Sequence, residues 1–146
     1  AIRNPNICGQ AAKKYGDQCV VLGMDIKRCD GVFLLFAKGG RENTWIDALQ
    51  WAVDGVNSGA GELVVNSIDT DGVKGGFDPE LLDAIAARVN VPIIASGGAG
   101  KMEDFSELFS HEGIDAGLAA SIFHYKEIRI EDLKKYLRDQ GVEVRL

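Results

Sequence analysis

Short, uninterrupted apolar runs alternate along the chain with longer segments whose apolar residues recur at helical spacing. The apolar runs predict strands at residues 19–24, 63–68, 91–95 and 115–120, with a short additional strand at 32–37. The amphipathic segments predict helices at residues 5–15, 44–58, 78–89 and 130–139, and one from the glycine-rich stretch to about residue 109. Continuous apolarity is typical of strands covered on both faces, so the alternation predicts an α/β fold with a parallel sheet.

Local signals define several of the predicted element ends. Thr44 is expected to cap the helix at 44–58, and Asp78 followed by Pro79 is expected to begin the next one. Asp30 and Gly31 predict a turn before the additional strand. The chain therefore reads as an initial helix followed by four β-then-α units, in which polar residues follow the strand ends where α/β proteins bind ligands.

The length, composition and charge of the chain limit the classes of protein to which it can belong. The chain has 146 residues, 46% of them hydrophobic, which predicts one domain spanning residues 1–146. A formal net charge of −6 argues against a nucleic-acid partner, and the apolar runs are too short for a membrane helix. Cys8, Cys19 and Cys29 lack the spacing of a zinc site or a disulfide framework. We expect a cytoplasmic protein with no membrane association, metal or cofactor.

Two segments of small residues after predicted strands indicate a phosphate site. They are residues 96–100 (SGGAG) and 119–121 (AAS). Backbone N–H groups exposed at such turns bind a phosphate dianion without a basic side chain. Ala95 and Met102 stand where a P-loop needs Gly and Ser or Thr, and Glu103 occupies the third glycine position of a dinucleotide motif. The pattern predicts a phosphorylated small-molecule ligand; the alternative is a tight turn that requires small residues for packing.

Aspartates follow two of the predicted strands. Asp25 ends a strand that is otherwise free of charge, a position at which a carboxylate can act as general acid or base. The alternative is a solvated aspartate, or an ion pair with Lys27 or Arg28. The stretch 69–72 (DTDG) can orient hydroxyl groups or exchange protons, or it is simply an Asp-Gly turn. It does not fit a calcium loop, because Lys74 occupies the sixth position, where glycine is needed.

In combination, the motifs resemble the cyclase subunit of imidazole glycerol phosphate synthase. The matching stretches are residues 21–28 (VLGMDIKR), 59–63 (GAGEL), 67–72 (SIDTDG), 93–100 (IIASGGAG) and 118–124 (LAASIFH). The resemblance covers essentially the whole chain but only the second half of that family's barrel, from its fourth helix through its eighth. It implies the C-terminal half of a (β/α)8 TIM-type barrel.

The resemblance also implies a reaction. In histidine biosynthesis the family takes ammonia from a glutaminase subunit. With it the enzyme converts a phosphoribulosyl-formimino aminoimidazole carboxamide ribonucleotide into imidazole glycerol phosphate and an aminoimidazole carboxamide ribotide. Asp25 matches the general acid/base. Substrate contacts are implied for Asn66, Asp71 and Gly72, although some members have Thr in place of Asn66. Glu62 matches a charged position at the opposite end of the barrel, where the glutaminase docks.

The same matching assigns one phosphate of a doubly phosphorylated substrate to four residues: Gly97, Gly98, Ala120 and Ser121. The family's second catalytic aspartate and second phosphate site lie in the N-terminal half of the barrel, outside the matched region. Four strands cannot close a barrel, so we expect association with an N-terminal half-barrel or with a second copy of the chain. The alternatives are a non-catalytic phosphate-binding half-barrel and the related isomerase of the same pathway.

Overall fold

A computed structural model describes residues 1–145, and within them the chain forms six strands and six α-helices. The strands are β1 (Val21–Cys29), β2 (Val32–Ala37), β3 (Glu42–Asp47), β4 (Glu62–Ser67), β5 (Ile93–Ser96) and β6 (Ala116–Leu118). The helices are α1 (Ile7–Tyr15), α2 (Ala48–Asn57), α3 (Pro79–Ala86), α4 (Met102–Leu108), α5 (Ser121–His124) and α6 (Ile130–Asp139). A single 3-10 turn, Asp17–Cys19, leads from α1 into β1.

All six strands form one sheet in the order β3-β2-β1-β4-β5-β6. β1, β4, β5 and β6 are mutually parallel, and α2, α3 and α4 lie in the connections between them. The predicted α/β class is therefore confirmed, and the four predicted parallel strands lie next to one another in the order of the chain. The parallel strands all end at one edge of the sheet, where the site described below lies.

An antiparallel hairpin extends the sheet beyond β1. The turn at Asp30 and Gly31 has positive φ at both residues, as two-residue hairpin loops require, and β2 pairs with β1 from Cys29 back to Asp25. The predicted strand at 32–37 is confirmed. β1 is longer than predicted, because its second part finds a hydrogen-bonding partner in β2.

The predicted start of the helix at 44–58 is wrong. Thr44 and Trp45 lie in β3, and α2 begins only at Ala48. The N-cap is Asp47, whose Oδ1 accepts a hydrogen bond of 2.9 Å from the N–H of Gln50. The side chain of Thr44 instead donates to the carbonyl of Leu35 across the β2–β3 pair. Cross-strand pairing, which the spacing of apolar residues does not reveal, determines this boundary.

The two faces of the sheet differ. On the outer face, β1 and β4 bury Leu22, Met24, Ile26, Leu63 and Val65 against the helices. On the other face, here called the open face, Val21 is 51% exposed and Leu118 at the far edge is 44% exposed. The prediction that both faces are covered is therefore wrong for the open face, and the strands show the alternation of half-buried strands.

A second cluster closes the end of the sheet near β6. It centres on Phe105 of α4, whose ring packs edge-on against the ring of Phe77, with 5.3 Å between the ring centroids. The ring centroid of Phe123 lies 6.1 Å from that of Phe105. The other buried members are Ala99, Ile122, Leu133 and Leu137. This cluster joins α4, α5 and α6, and thereby fixes the segment around Ala120 and Ser121 against the glycine-rich loop.

Candidate functional site

Asp25 and Asn66 form a hydrogen-bonded pair on the open face. They are direct partners in the β1–β4 register, and Nδ2 of Asn66 donates to Oδ1 of Asp25 at 3.0 Å. Asp25 lies within β1 rather than at its end, because β1 continues into the hairpin. The pair lines a groove of about 740 Å³. Asp25 has a second carboxylate oxygen, so an oriented, half-buried group is available for proton transfer.

Neither basic neighbour forms an ion pair with Asp25. The side chain of Arg28 contacts Glu80 and Asp78 instead. Asp25 and Arg28 are three positions apart on one strand, so their side chains project from opposite faces of the sheet. The interpretation of Asp25 as half of a surface ion pair is therefore not supported by the geometry.

The remaining substrate and phosphate candidates meet in a cleft of about 180 Å³ beside the ends of β5 and β6. The sequence candidates that line it are Asp71, Gly72, Gly97, Gly98, Ala120 and Ser121. The cleft thus combines three separate loops, those that follow β4, β5 and β6. The sequence predicted that the loops after β5 and β6 form one site. The structure shows that the loop after β4 lines the same cleft.

The glycine-rich loop has a conformation that only glycine tolerates. Gly97 and Gly98 have φ of +92° and +106°. A Cβ on Gly98 would lie 1.9 Å from the carbonyl oxygen of Gly76, and one on Gly97 would lie 2.7 Å from that of Ser67. The small residues are therefore required by packing against the loop after β4, as well as by any ligand.

Hydrogen bonds orient the peptide groups of this loop. The hydroxyl of Thr70 donates to the carbonyl of Gly97 at 3.1 Å, and the N–H of Gly76 donates to the carbonyl of Gly98 at 3.0 Å. Within residues 1–145, the N–H groups of Gly98 and Ala99 form no hydrogen bond. Two N–H donors at the cleft are therefore free to bind an anion.

A buried carboxylate fixes the following turn. Oδ2 of Asp104 accepts hydrogen bonds from the N–H groups of Gly100 at 2.7 Å and Lys101 at 3.0 Å. The residue is only 4% exposed. Because its side chain accepts the N–H groups of the two residues before α4, the free donors in this part of the loop are those of Gly98 and Ala99. Sequence reasoning missed Asp104; its signal is an acidic residue at the third helical position of α4.

Lys74 is a second residue that sequence reasoning missed. It lines the cleft, and its Nζ donates to both carboxylate oxygens of Glu127, at 2.7 and 2.8 Å. Its backbone packs against Gly100, where a Cβ would lie 2.6 Å from the Lys74 carbonyl oxygen. The one sequence signal was its position shortly after Asp71. The cleft therefore has a cationic side chain at its margin, and this side chain forms an ion pair with Glu127.

The two aspartates of the stretch 69–72 have different environments. Asp71 is exposed at the cleft. Asp69 points to β1, where its Oδ2 accepts the N–H of Arg28 at 2.7 Å. They therefore do not act as a pair on one ligand.

Glu62 lies at the other end of β4. It is the first residue of the strand, beside Val21, and is half-buried. Asn66 lies four positions further along β4, or about 13 Å along a strand. Its side chain shares the open face with Asn66 but lies at the edge opposite the cleft.

The part of the chain that the structure describes has neither a cluster of metal-ligating side chains nor a membrane-spanning helix. No group of three or more His, Cys, Asp or Glu side chains is arranged to hold a metal ion. Across the same residues, every helix is too short or too polar to cross a membrane.

Comparison with known proteins identifies the family. The family described as "Histidine biosynthesis protein" matches residues 1–129. Imidazole glycerol phosphate synthase subunit HisF of Helicobacter hepaticus is 50% identical over 147 residues, which cover 100% of this chain and 58% of that protein. The HisF subunit of Oceanobacillus iheyensis is 50% identical over 146 residues, 99% of this chain and 57% of that protein.

The chain spans less than three fifths of the length of these relatives. The predicted partial barrel fits this coverage, together with a sheet whose helices lie on one face only. The chain belongs to the family of histidine biosynthesis proteins, and its predicted resemblance to the cyclase subunit of imidazole glycerol phosphate synthase is confirmed.

Proposed function

We propose that this chain supplies the C-terminal half of the cyclase site of imidazole glycerol phosphate synthase. The observation that carries the proposal is that Asp25, Asn66 and the small-residue cleft all lie toward the C-terminal edge of one parallel sheet. Ligands of α/β folds bind at this edge. The reaction is the ammonia-dependent cyclisation in histidine biosynthesis that the sequence resemblance implies, with ammonia delivered by a glutaminase subunit.

In this proposal Asp25 transfers the proton. Asn66 orients its carboxylate through the 3.0 Å hydrogen bond and leaves Oδ2 for the substrate. Asp71 and Gly72 contact the substrate from the loop after β4. Its phosphate occupies the cleft, where the free N–H groups beside Gly98 and the residues Ala120 and Ser121 support anion binding.

Glu62 belongs to the proposed glutaminase side of the barrel. Its position supports this, because it lies at the edge of the sheet opposite Asp25 and the cleft. Ammonia released at that edge would travel along the open face of β4 to reach the reacting centre. The glutaminase itself is the partner that the family resemblance implies.

The proposed site is completed by a second half-barrel. Val21 and Leu118 leave apolar surface exposed on the open face, and β6 is an unpaired edge of the sheet. We propose that an N-terminal half, or a second copy of this chain, covers this face. Size-exclusion chromatography with light scattering is expected to show a dimer, or a 1:1 complex when an N-terminal half is added. A stable, monodisperse monomer under both conditions would contradict this.

The decisive experiment substitutes the acid/base residue. The chain is combined with the N-terminal half of a HisF subunit, and ammonia-dependent formation of imidazole glycerol phosphate is assayed. Asp25→Asn is expected to lower kcat by about 100-fold or more, because general acid–base catalysis contributes that much, while phosphate affinity changes little. Asp139→Asn, at the end of α6, is the control and retains full activity. A well-folded wild-type complex without turnover refutes the proposal.

The same assay tests the two alternatives. Turnover by isomerisation of the ribotide, without ammonia consumption, would indicate the related isomerase of the pathway. Phosphate binding without any turnover would indicate a non-catalytic half-barrel. The 50% identity to HisF subunits favours the cyclase over both.

A further inference from the structure

Arg28 is surrounded by three carboxylates that lie between the end of β4 and the first turn of α3. Its main-chain N–H donates to Oδ2 of Asp69 at 2.7 Å, and Nη1 of its side chain donates to Oε1 of Glu80 at 2.7 Å. Its Nη2 lies 3.9 Å from Oδ1 of Asp78. The guanidinium also stacks over the ring of Phe33 at 4.5 Å, which fixes its plane.

These carboxylates stand at both ends of the connection. Asp69 is the second residue after β4, whereas Asp78 caps α3 and Glu80 lies in its first turn. Arg28 therefore joins the beginning of residues 69–80 through its main-chain N–H and their end through its guanidinium group. The hydrogen bond to Glu80 raises the pKa of Arg28 and lowers the pKa of Glu80, as expected for a formed ion pair.

The segment between those ends carries the cleft residues. Asp71, Gly72 and Lys74 line the cleft, and residues 71–75 are all exposed. Lys74 and Gly76 are held by contacts with Gly100, Glu127 and Gly98. Asp71 and Gly72 come before these contacts and are exposed, so their position also depends on how firmly the ends of the segment are attached.

We propose that Arg28 is a positioning residue that holds the segment 69–78 in place for substrate. It acts from the outer face of the sheet and touches neither Asp25 nor the cleft. Because Arg28 and Asp25 share β1, the attachment fixes the substrate loop relative to the acid/base residue. Only the reference to substrate depends on the proposed function; the anchoring of the loop does not.

A competing role for Arg28 is direct contact with an anionic ligand. The two roles predict opposite effects of removing a neighbouring carboxylate. If Arg28 binds the anion itself, Glu80→Gln frees its guanidinium and phosphate affinity rises. If Arg28 positions the loop, Glu80→Gln weakens the attachment and phosphate affinity falls.

The test uses the chain itself, with and without inorganic phosphate. Three loop amides serve as probes because each donates one hydrogen bond: Asp71 to Ser67, Val73 to Thr70 and Gly76 to Gly98. Their hydrogen exchange is measured by NMR in the wild type, Arg28→Met, Arg28→Lys and Glu80→Gln. Arg129→Met is the control, since Arg129 forms a similar 2.9 Å ion pair with Glu131 at the surface, in the α5–α6 connection.

Arg28→Met releases the α3 end of the segment and keeps the main-chain hydrogen bond to Asp69. We expect it to speed exchange of the three loop amides roughly tenfold, with core amides of β4 unchanged. Arg28→Lys, which keeps the charge, restores part of the protection, and the control matches the wild type. Phosphate affinity falls roughly threefold to tenfold in Arg28→Met and falls less in Glu80→Gln. Glu80 is exposed, so Glu80→Gln leaves the fold intact even if Arg28→Met does not.

Unchanged loop exchange in both Arg28→Met and Glu80→Gln overturns the proposal, as does a rise in phosphate affinity in Glu80→Gln. If the wild-type chain binds no phosphate at all, the proposed phosphate site fails. The exchange measurement on the ligand-free chain still decides whether Arg28 anchors the loop.

Discussion

The two sides of the cleft proposed to bind phosphate are built differently. The glycine wall, residues 97–101, is mostly buried, with backbone atoms of neighbouring loops in direct contact. The charged wall, residues 69–78, has an exposed tip, and its ends are attached to Arg28 through carboxylates. Packing at atomic distance tolerates almost no displacement, whereas ion pairs in water are weak and adjustable. The cleft therefore combines a wall fixed by packing with one in which the exposed residues Asp71 and Gly72 are held less tightly.

This difference fits the proposed chemistry. Backbone N–H groups bind a phosphate well only if they are oriented beforehand, and the glycine wall supplies that orientation. The loop that carries Asp71 has to admit and release substrate, which a weakly attached segment can do. Substitutions in the two walls should accordingly differ in the size of their effects.

The largest effect is expected for Gly98→Ala. The new Cβ would lie 1.9 Å from the carbonyl oxygen of Gly76, at a φ of +106° that Ala rarely adopts. We expect a loss of about 3 kcal/mol in the free energy of unfolding, and loss of phosphate binding, because the walls are forced apart. Urea denaturation and phosphate titration measure the two effects.

Gly72→Ala is the matched substitution in the charged wall. Gly72 also has a positive φ, +75°, but its Cβ would meet no atom within 4 Å. The expected loss is only the backbone strain, about 1 kcal/mol. Equal losses in the two variants would show that the walls do not differ in packing.

Asp104→Ala is expected to have the next largest effect. The buried carboxylate accepts two N–H groups at the end of the glycine wall, and its removal leaves both donors without a partner. We expect a loss of about 2 kcal/mol in the free energy of unfolding and weaker phosphate binding. Asp104→Asn keeps one acceptor and should lose about half as much. Glu103→Ala, an exposed neighbour on the same helix, is the control; a loss as large as that of Asp104→Ala would contradict this role.

The glycine wall could be predicted from the sequence, but the contacts that attach the charged wall to Arg28 could not. Gly97 and Gly98 predict a backbone conformation with positive φ, because few other residues adopt one. The cap at Asp78, which accepts the N–H of Leu81 at 3.1 Å, was predicted for a similar reason. In contrast, Arg28 meets Asp69 and Glu80 across 41 and 52 residues of sequence. A charged residue on an exposed face has many possible partners, and only the folded chain selects one.

The same limit explains the wrong boundary at β3. Local spacing favoured a helix that begins at Thr44, with Trp45 on its apolar face, whereas Trp45 is 79% exposed on a strand. Pairing with β2 determines the structure there, and such pairing leaves little trace in a short sequence window. Asp25 and Asn66 were each predicted as site residues, but their hydrogen bond follows from the β1–β4 register, which the sequence alone did not reveal.

The smallest effect on stability is expected from lowering the pH, through the ion pair of Arg28 with Glu80. Arg28 lowers the pKa of Glu80 in the folded chain below its ordinary value of 4.5. The ion pair therefore contributes its full stability above about pH 4.5, and the contribution is lost as the pH falls through the lowered pKa of the folded state. Denaturation midpoints measured from pH 6 to pH 3 should decline less steeply in Glu80→Gln than in the wild type. Glu80 is exposed, so the difference is small, and it should disappear when both proteins carry Arg28→Met. A difference that persists in that background would mean that the acid sensitivity comes from a partner other than Arg28.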